Sequence, residues 1–166
     1  DGHLLTPLRR IWITRAKPGA ARTADRLTAL EFDPVVLPLL VVCAIEHAPL
    51  DLDGVSALAF TSQNGVAAFA ALSAGRDLPV FTVWRVRSAE AARGHGFRSV
   101  RSAGGALADL AALLIAAAPR DGWVLVPGAR EPAGDLSAMA SPAIRVRAVP
   151  VYETRDTGAA APEAFD

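Results

Sequence analysis

Four short stretches rich in hydroxyls, amides and glycines each stand just after an apolar run: Thr61-Ser62-Gln63-Asn64, Ser88, Ser102-Ala103-Gly104-Gly105 and Pro127-Gly128-Ala129-Arg130. Residues of these types at helix N-termini leave backbone N–H groups free to meet anions such as carboxylates. The same residues are favoured as plain helix caps in any protein, so the sequence leaves both roles open. Other chemistries lack their residues. His3, His47 and His95 have no partner at metal-ligand spacing and read as solvated or capping. Cys43 is single, which excludes an internal disulfide and, with those histidines, a metal cage. In its apolar run it reads as a small buried hydrophobe. There is no G-x-G-x-x-G, no G-x-x-x-x-G-K-[ST] and no G-x-S-x-G elbow, so neither a nucleotide cofactor nor an α/β-hydrolase nucleophile has motif support.

The elements that must position these loops alternate regularly. Strands are predicted at residues 10–14, 34–40, 55–60, 80–83, 97–100, 122–126 and 144–151, from β-branched and aromatic runs. Helices are predicted at 20–30, 65–73, 88–93, 106–118 and 132–140, with Leu27 and Leu30 on one face of the first and Leu107, Leu110, Leu113 and Leu114 spaced along the fourth. Residues 41–53 lose periodicity, carry Pro49 and read as a linker or crossover. Strand-helix alternation with short connections predicts an α/β protein whose parallel sheet is covered by helices on both faces. In such a sheet ligands bind beyond the carboxyl ends of the strands, where all four polar stretches project.

The 166 residues are 52% hydrophobic and 20% charged, which excludes a disordered chain. Seventeen basic residues balance seventeen acidic ones, which argues against a nucleic-acid or membrane-surface protein. No apolar run approaches the ~20 residues of a transmembrane helix; the longest, residues 35–45, contains Pro38. With no signal peptide at its start, a reducing, cytoplasmic setting is expected. Lys17 is the only lysine and alanine is abundant, which suggests a GC-rich bacterial genome. The chain opens at Asp1 without a methionine and closes in a stretch, residues 158–166, that reads as the start of another element.

At Ala59-Phe-Thr-Ser-Gln-Asn-Gly-Val-Ala-Ala-Phe69 the sequence resembles the uroporphyrinogen-III synthase family, whose second domain carries a hydrophobic-Phe-Thr-Ser-x-x-x-Val pattern. Further motifs follow in the family's order. Ile13-Thr14-Arg15 resembles the end of its first strand, and residues 32–39 its second strand. Ser102 to Leu110 is similar to its glycine-containing loop before a helix, and Leu125-Val-Pro-Gly-Ala-Arg130 to its turn of a strand end, a glycine and an arginine. Val151-Tyr-Glu-Thr154 resembles the Val-Tyr-x-Thr signature at the return to the first domain. Order and spacing over most of the chain make the match specific.

The resemblance implies a two-domain fold, each domain a flavodoxin-like parallel sheet with helices on both faces. Residues 1–39 would be the first half of a discontinuous domain one, 40–54 a linker, 55–151 a complete domain two, and 152–166 the return linker, leaving domain one incomplete. The implied function is a lyase of tetrapyrrole (porphyrin, haem) biosynthesis. Linear hydroxymethylbilane loses water and closes to uroporphyrinogen III, inverting the last pyrrole ring through a spiro intermediate. The resemblance implies no cofactor, a small polycarboxylate substrate, no nucleic acid, no membrane and a monomer. It assigns Tyr152 as the acid that helps the hydroxyl leave, a role that suits a phenol protonated at neutral pH; the plain alternative is a strand-end tyrosine with a packed ring. It carries over Thr61, Ser62, Asn64, Ser88, Ala89, Ser102, Gly104, Gly105 and Gly128 as substrate-binding candidates. Arg15 and Arg130 enter as carboxylate partners or, equally, as ordinary surface pairs.

Three features depart from the family's pattern. After the strand at residue 80 the family has Val-Gly-x-x-Thr-Ala. Here Val83-Trp-Arg-Val-Arg-Ser-Ala89 is one residue longer, with Trp84 or Arg85 in the glycine's place. Glu31 stands where a glycine ends the first helix, a left-handed position that costs other residues roughly 1 kcal/mol or more. The chain also stops just after Tyr152, where domain one would resume. The rival expectation is a truncated or non-catalytic module of the same fold that binds anions or a partner. A receiver-type signalling domain would instead place acidic residues at the rim, where this chain has hydroxyls and glycines.

Overall fold

The computed structural model describes residues 8–17 and 19–162; His3 lies outside them. The chain forms two compact units, Asp1–Cys43 with Thr154–Asp166, and Ala44–Glu153.

In the first unit, β1 (Arg10–Ile13), α1 (Gly19–Ala29) and β2 (Asp33–Val36) make one β-α-β turn, with β1 and β2 parallel and Ile13 opposite Val36. The Trp12 indole N–H donates to the Leu37 carbonyl at 2.8 Å. Helix α1 ends in a Schellman motif: Phe32 N–H bonds Leu27 C=O and Glu31 N–H bonds Thr28 C=O, both at 3.0 Å. That closure demands a left-handed residue, and Glu31 supplies it at φ 61°. Periodicity puts Leu30 on the buried face with Leu27, but it lies beyond the last helical turn and is 67% exposed. The extended run expected at 34–40 divides, because β2 stops before Leu37-Pro38, and β3 (Leu40–Ala44) begins inside the expected linker. Cys43 stands on β3 half-buried, so it is less enclosed than its apolar run suggests.

The second unit holds β4 (Val55–Phe60), α2 (Gln63–Leu72), β5 (Val80–Thr82), a π-helical turn (Arg85–Ala89), α3 (Glu90–Gly94), β6 (Val100–Ser102), α4 (Leu107–Ala117), β7 (Trp123–Ala129), α5 (Leu136–Ala140) and β8 (Val146–Asp156) as far as Glu153. Within this unit the strand order is β8-β7-β4-β5-β6. From β8 to β6 every neighbouring pair is parallel. The winding reverses between β4 and β7, the doubly wound arrangement that opens a crevice at the reversal point. Alternation along β4 sorts the core into two layers. Ala57 and Ala59 join the cluster of Phe81, Leu110, Leu114, Val124 and Leu136. Phe60 instead meets Phe69 and Phe97, ring centroids 5.8 and 6.0 Å away.

Two boundaries differ from the sequence pattern for physical reasons. Phe97 is expected to open a strand, but Gly96 at φ 91° turns the chain there. Phe97 becomes an anchor under α2, and the strand starts at Val100, opposite Val80. The helix expected from 132 starts only at Leu136, because Pro132 and Gly134 precede its cap, Asp135, whose carboxylate accepts the Ala138 N–H at 3.0 Å.

Candidate functional site at the end of the second unit's sheet

The ladder between β4 and β7 runs from Val55↔Trp123 to Leu58↔Leu125, whereas β7 stays paired with β8 as far as Ala129↔Tyr152. Pro127, which has no N–H to offer a ladder, lies beyond the last β4–β7 pair. The two strands therefore part at their carboxyl ends, and the first turn of α2 enters the gap. Gly65 makes this possible: a Cβ there would lie 2.6 Å from the Pro127 carbonyl oxygen.

Ser62 caps α2, its hydroxyl oxygen accepting the Gly65 N–H at 3.1 Å. The same oxygen lies 3.0 Å from the Tyr152 hydroxyl. Tyr152 stands on β8, two strands from β4, so its phenol reaches over the end of β7 to meet the cap of α2. Its residue is buried, and the hydroxyl pairing fixes the ring at the reversal point. Thr61 and Asn64 flank Ser62 on this loop and first turn, half-buried. The N–H groups of Gln63 and Asn64 have no carbonyl to meet within the helix.

The other candidates are arranged differently. Gly128 leaves open space where a side chain would stand. Arg130 is an ion-pair member, its Nε donating to the Glu153 carboxylate at 2.7 Å, while its backbone N–H bonds the Tyr152 carbonyl. At the next loop, the N–H groups expected to face anions are already used. Gly104, at φ 76°, and Gly105 both donate to the Val83 carbonyl, at 2.9 and 3.2 Å. The Ser102 hydroxyl makes a long 3.5 Å contact with that carbonyl. Ala89 N–H closes the π turn on Trp84 C=O at 3.2 Å. Ser88, inside that turn, is buried with no hydrogen-bond partner among the described residues. Arg15 belongs to the first unit, where its guanidinium covers Gly19 and donates to the Thr23 hydroxyl at 3.4 Å.

Sequence reading missed the Glu153 partner of Arg130, although opposite charges on either side of the aligned Ala129 and Tyr152 were the available signal. It also missed the surface cavity lined by Trp84, Val86, Arg87 and Gly104. Among the described residues no group of acids, histidines and cysteine is placed to hold a metal, and no helix is long and apolar enough to cross a membrane.

Comparison with known proteins concerns the family and the fold. The sequence profile of the family described as uroporphyrinogen-III synthase HemD matches residues 21–166. No curated protein gives a significant match. Among solved structures, uroporphyrinogen-III synthetase from Helicobacter pylori 26695 is similar over 93% of this chain and 65% of its own, with 20% identity and a TM-score of 0.61. A mutant uroporphyrinogen III synthase from the extremely thermophilic bacterium Thermus thermophilus is similar over 90% of this chain and 64% of its own, with 14% identity and a TM-score of 0.57. At these identities the likeness is one of fold, and this chain spans less than two thirds of either relative's length.

Proposed function

The chain belongs to the uroporphyrinogen-III synthase family, and from that premise we propose that it carries out, or forms part of a protein that carries out, the dehydrating cyclisation of hydroxymethylbilane to uroporphyrinogen III. In this reading residues 55–151 are the second domain, 1–39 the first half of the first, and 40–54 and 152–166 the linkers.

One observation supports the reading above others: the Tyr152 hydroxyl is held 3.0 Å from Ser62 at the point where the sheet reverses. A phenol held there donates its proton to the departing hydroxyl of the substrate. The carbon–oxygen bond breaks with its electron pair on oxygen, and water leaves. The carbocation, spread into its pyrrole ring, is attacked by the substituted carbon of the last ring to give the spiro intermediate. That carbon's older bond to the neighbouring methylene breaks and re-forms at the ring's free carbon, inverting the ring, and the proton lost as the ring regains aromaticity returns to the Tyr152 phenolate. Ser62 positions the phenol. Thr61, Asn64 and Gly128 shape the crevice beside it, and the first-turn N–H groups of α2 meet carboxylate arms. Ser102, Gly104, Gly105 and Ala89 act through shape, since the N–H groups of the last three are committed to carbonyls. Arg15 and Arg130 are the carboxylate partners, Arg130 after exchanging Glu153 for substrate. Holding a flexible linear tetrapyrrole folded is a large part of the task, because closure needs its two ends brought together.

The same reading takes the protein as a cytoplasmic bacterial monomer that needs no cofactor and binds neither nucleic acid nor membrane. Balanced charge and a single cysteine support that setting. The test supplies hydroxymethylbilane to the chain, alone and within the reading frame that encodes it, and resolves the uroporphyrinogen isomers. Type III product above the spontaneous background is expected. Type I product alone from both would overturn the assignment.

A further inference from the structure

We propose that the cavity lined by Trp84, Val86, Arg87 and Gly104 is a subsite for a single carboxylate-bearing pyrrole ring, an inference that rests on the function proposed above and adds residues to it. The cavity measures about 410 Å³, within the roughly 300–1,000 Å³ of small-molecule sites. It lies at the carboxyl ends of β5 and β6, on the same rim as Ser62.

Its residues are not explained by packing. Trp84 is 53% exposed and Val86 68% exposed, and neither belongs to the core. Two large apolar side chains left in water on one turn forgo the stabilisation that burial would bring. The backbone holds them there. Trp84 is extended, at φ −106° and ψ 132°, and the five residues after it close as a π turn on its carbonyl. A π turn carries one residue more than an α turn, and such insertions recur at functional sites.

The chemistry of the lining selects the ligand. An indole face stacks on an aromatic ring, and a pyrrole is a flat, electron-rich ring of suitable size. The Arg87 side chain is exposed and makes no hydrogen bond or ion pair among the described residues, so its fork is available to a carboxylate arm. Gly104 leaves open space where a side chain would otherwise narrow the cavity. An apolar slot with one cation at its edge suits a heterocycle with acidic arms better than it suits a bare anion or a hydrocarbon.

Porphobilinogen, a single pyrrole bearing acetate and propionate arms, is the probe. Its binding is measured by saturation-transfer NMR on the wild type and on Trp84→Ala, Trp84→Phe and Arg87→Ala. Because Trp84 and Arg87 stand on the surface, unchanged thermal unfolding serves as the folding control. We expect Kd to rise about tenfold in Trp84→Ala and in Arg87→Ala, which is the loss of one good contact, and to recover most of the way in Trp84→Phe. With hydroxymethylbilane as substrate, KM should rise similarly while kcat stays within about threefold. Binding that is absent from the wild type, or equal in all four proteins within twofold, overturns the subsite. Type I product alone with porphobilinogen binding still dependent on Trp84 and Arg87 overturns the synthase reading and supports the subsite.

Discussion

The hydroxyls of Ser62 and Tyr152, 90 residues apart in sequence, meet at 3.0 Å across the end of β7. Because the Ser62 oxygen also accepts the Gly65 N–H, one atom ties the phenol to the start of α2. Removing the phenol oxygen and removing the serine oxygen therefore have different consequences. Tyr152→Phe leaves the helix cap intact and loses about 1 kcal/mol of stability, the net value of one hydrogen bond. On the proposed function it should lower turnover of hydroxymethylbilane about 100-fold or more, the range of a lost general acid. Ser62→Ala loses the cap as well, costing about 2 kcal/mol in all, and lowers turnover less than Tyr152→Phe does. Ser62→Thr should restore most of both quantities. Paired measurements of kcat and the urea midpoint check this, and unchanged turnover in Tyr152→Phe would remove the proposed acid.

Gly65 is held by distance rather than by backbone angle. The Pro127 carbonyl oxygen would lie 2.6 Å from any Cβ at this position, and a backbone oxygen cannot swing aside as a side chain can. Gly65→Ala should destabilise by about 1–3 kcal/mol, despite alanine's better helix propensity, because overpacking outweighs it. The displaced first turn should also separate Ser62 from Tyr152, so turnover falls together with the denaturant midpoint. A variant that gains stability would show that α2 does not sit this close to β7.

Glu31 makes the opposite case. Its φ of 61° is forced by the two hydrogen bonds that close α1, and nothing beyond them requires a side chain there. Glycine removes the left-handed penalty of roughly 1–2 kcal/mol and gives back part of it through greater unfolded-state freedom, about 0.4–1 kcal/mol. Glu31→Gly should therefore stabilise by about 0.5–1 kcal/mol without altering turnover. Thermal unfolding of the two proteins checks the sign, and a fall in Tm would contradict it.

These positions also show what can be read from the sequence. Glu31 is legible because a helix end with a missing glycine is a local pattern, and the local hydrogen bonds enforce it. The strands and helices around Val55–Phe60 and Leu107–Ala117 are legible because each is a long periodic run with a buried face. Phe97 misleads because a buried aromatic satisfies a strand pattern equally well when it plugs the space beneath a helix. Within the candidate site, the hydroxyl loop at Thr61 to Asn64 can be seen, but its tie to Tyr152 cannot, since that depends on which strand lies between them. The commitment of the Gly104 and Gly105 N–H groups to Val83 is equally hidden: glycine marks a turn, not the direction in which its amide points.

Ser88 brings stability and function into opposition. Its residue is 1% exposed and its hydroxyl has no hydrogen-bond partner among the described residues. An unsatisfied buried polar group costs about 1–3 kcal/mol, so Ser88→Ala should stabilise the fold by about 1 kcal/mol and raise Tm. Ser88 belongs to the π turn whose Val86 and Arg87 line the Trp84 cavity, and on the proposed function a small opening of the turn would present its hydroxyl to substrate. If it is used there, the stabilised variant binds more weakly, and KM for hydroxymethylbilane should rise about tenfold, the trade between stability and function expected of a working site. Ser88→Thr, which keeps the hydroxyl, should hold KM near the wild-type value. Both variants are measured for Tm and KM side by side. A destabilised Ser88→Ala would mean that the hydroxyl has a partner in solution, and an unchanged KM would remove Ser88 from the residues that meet substrate.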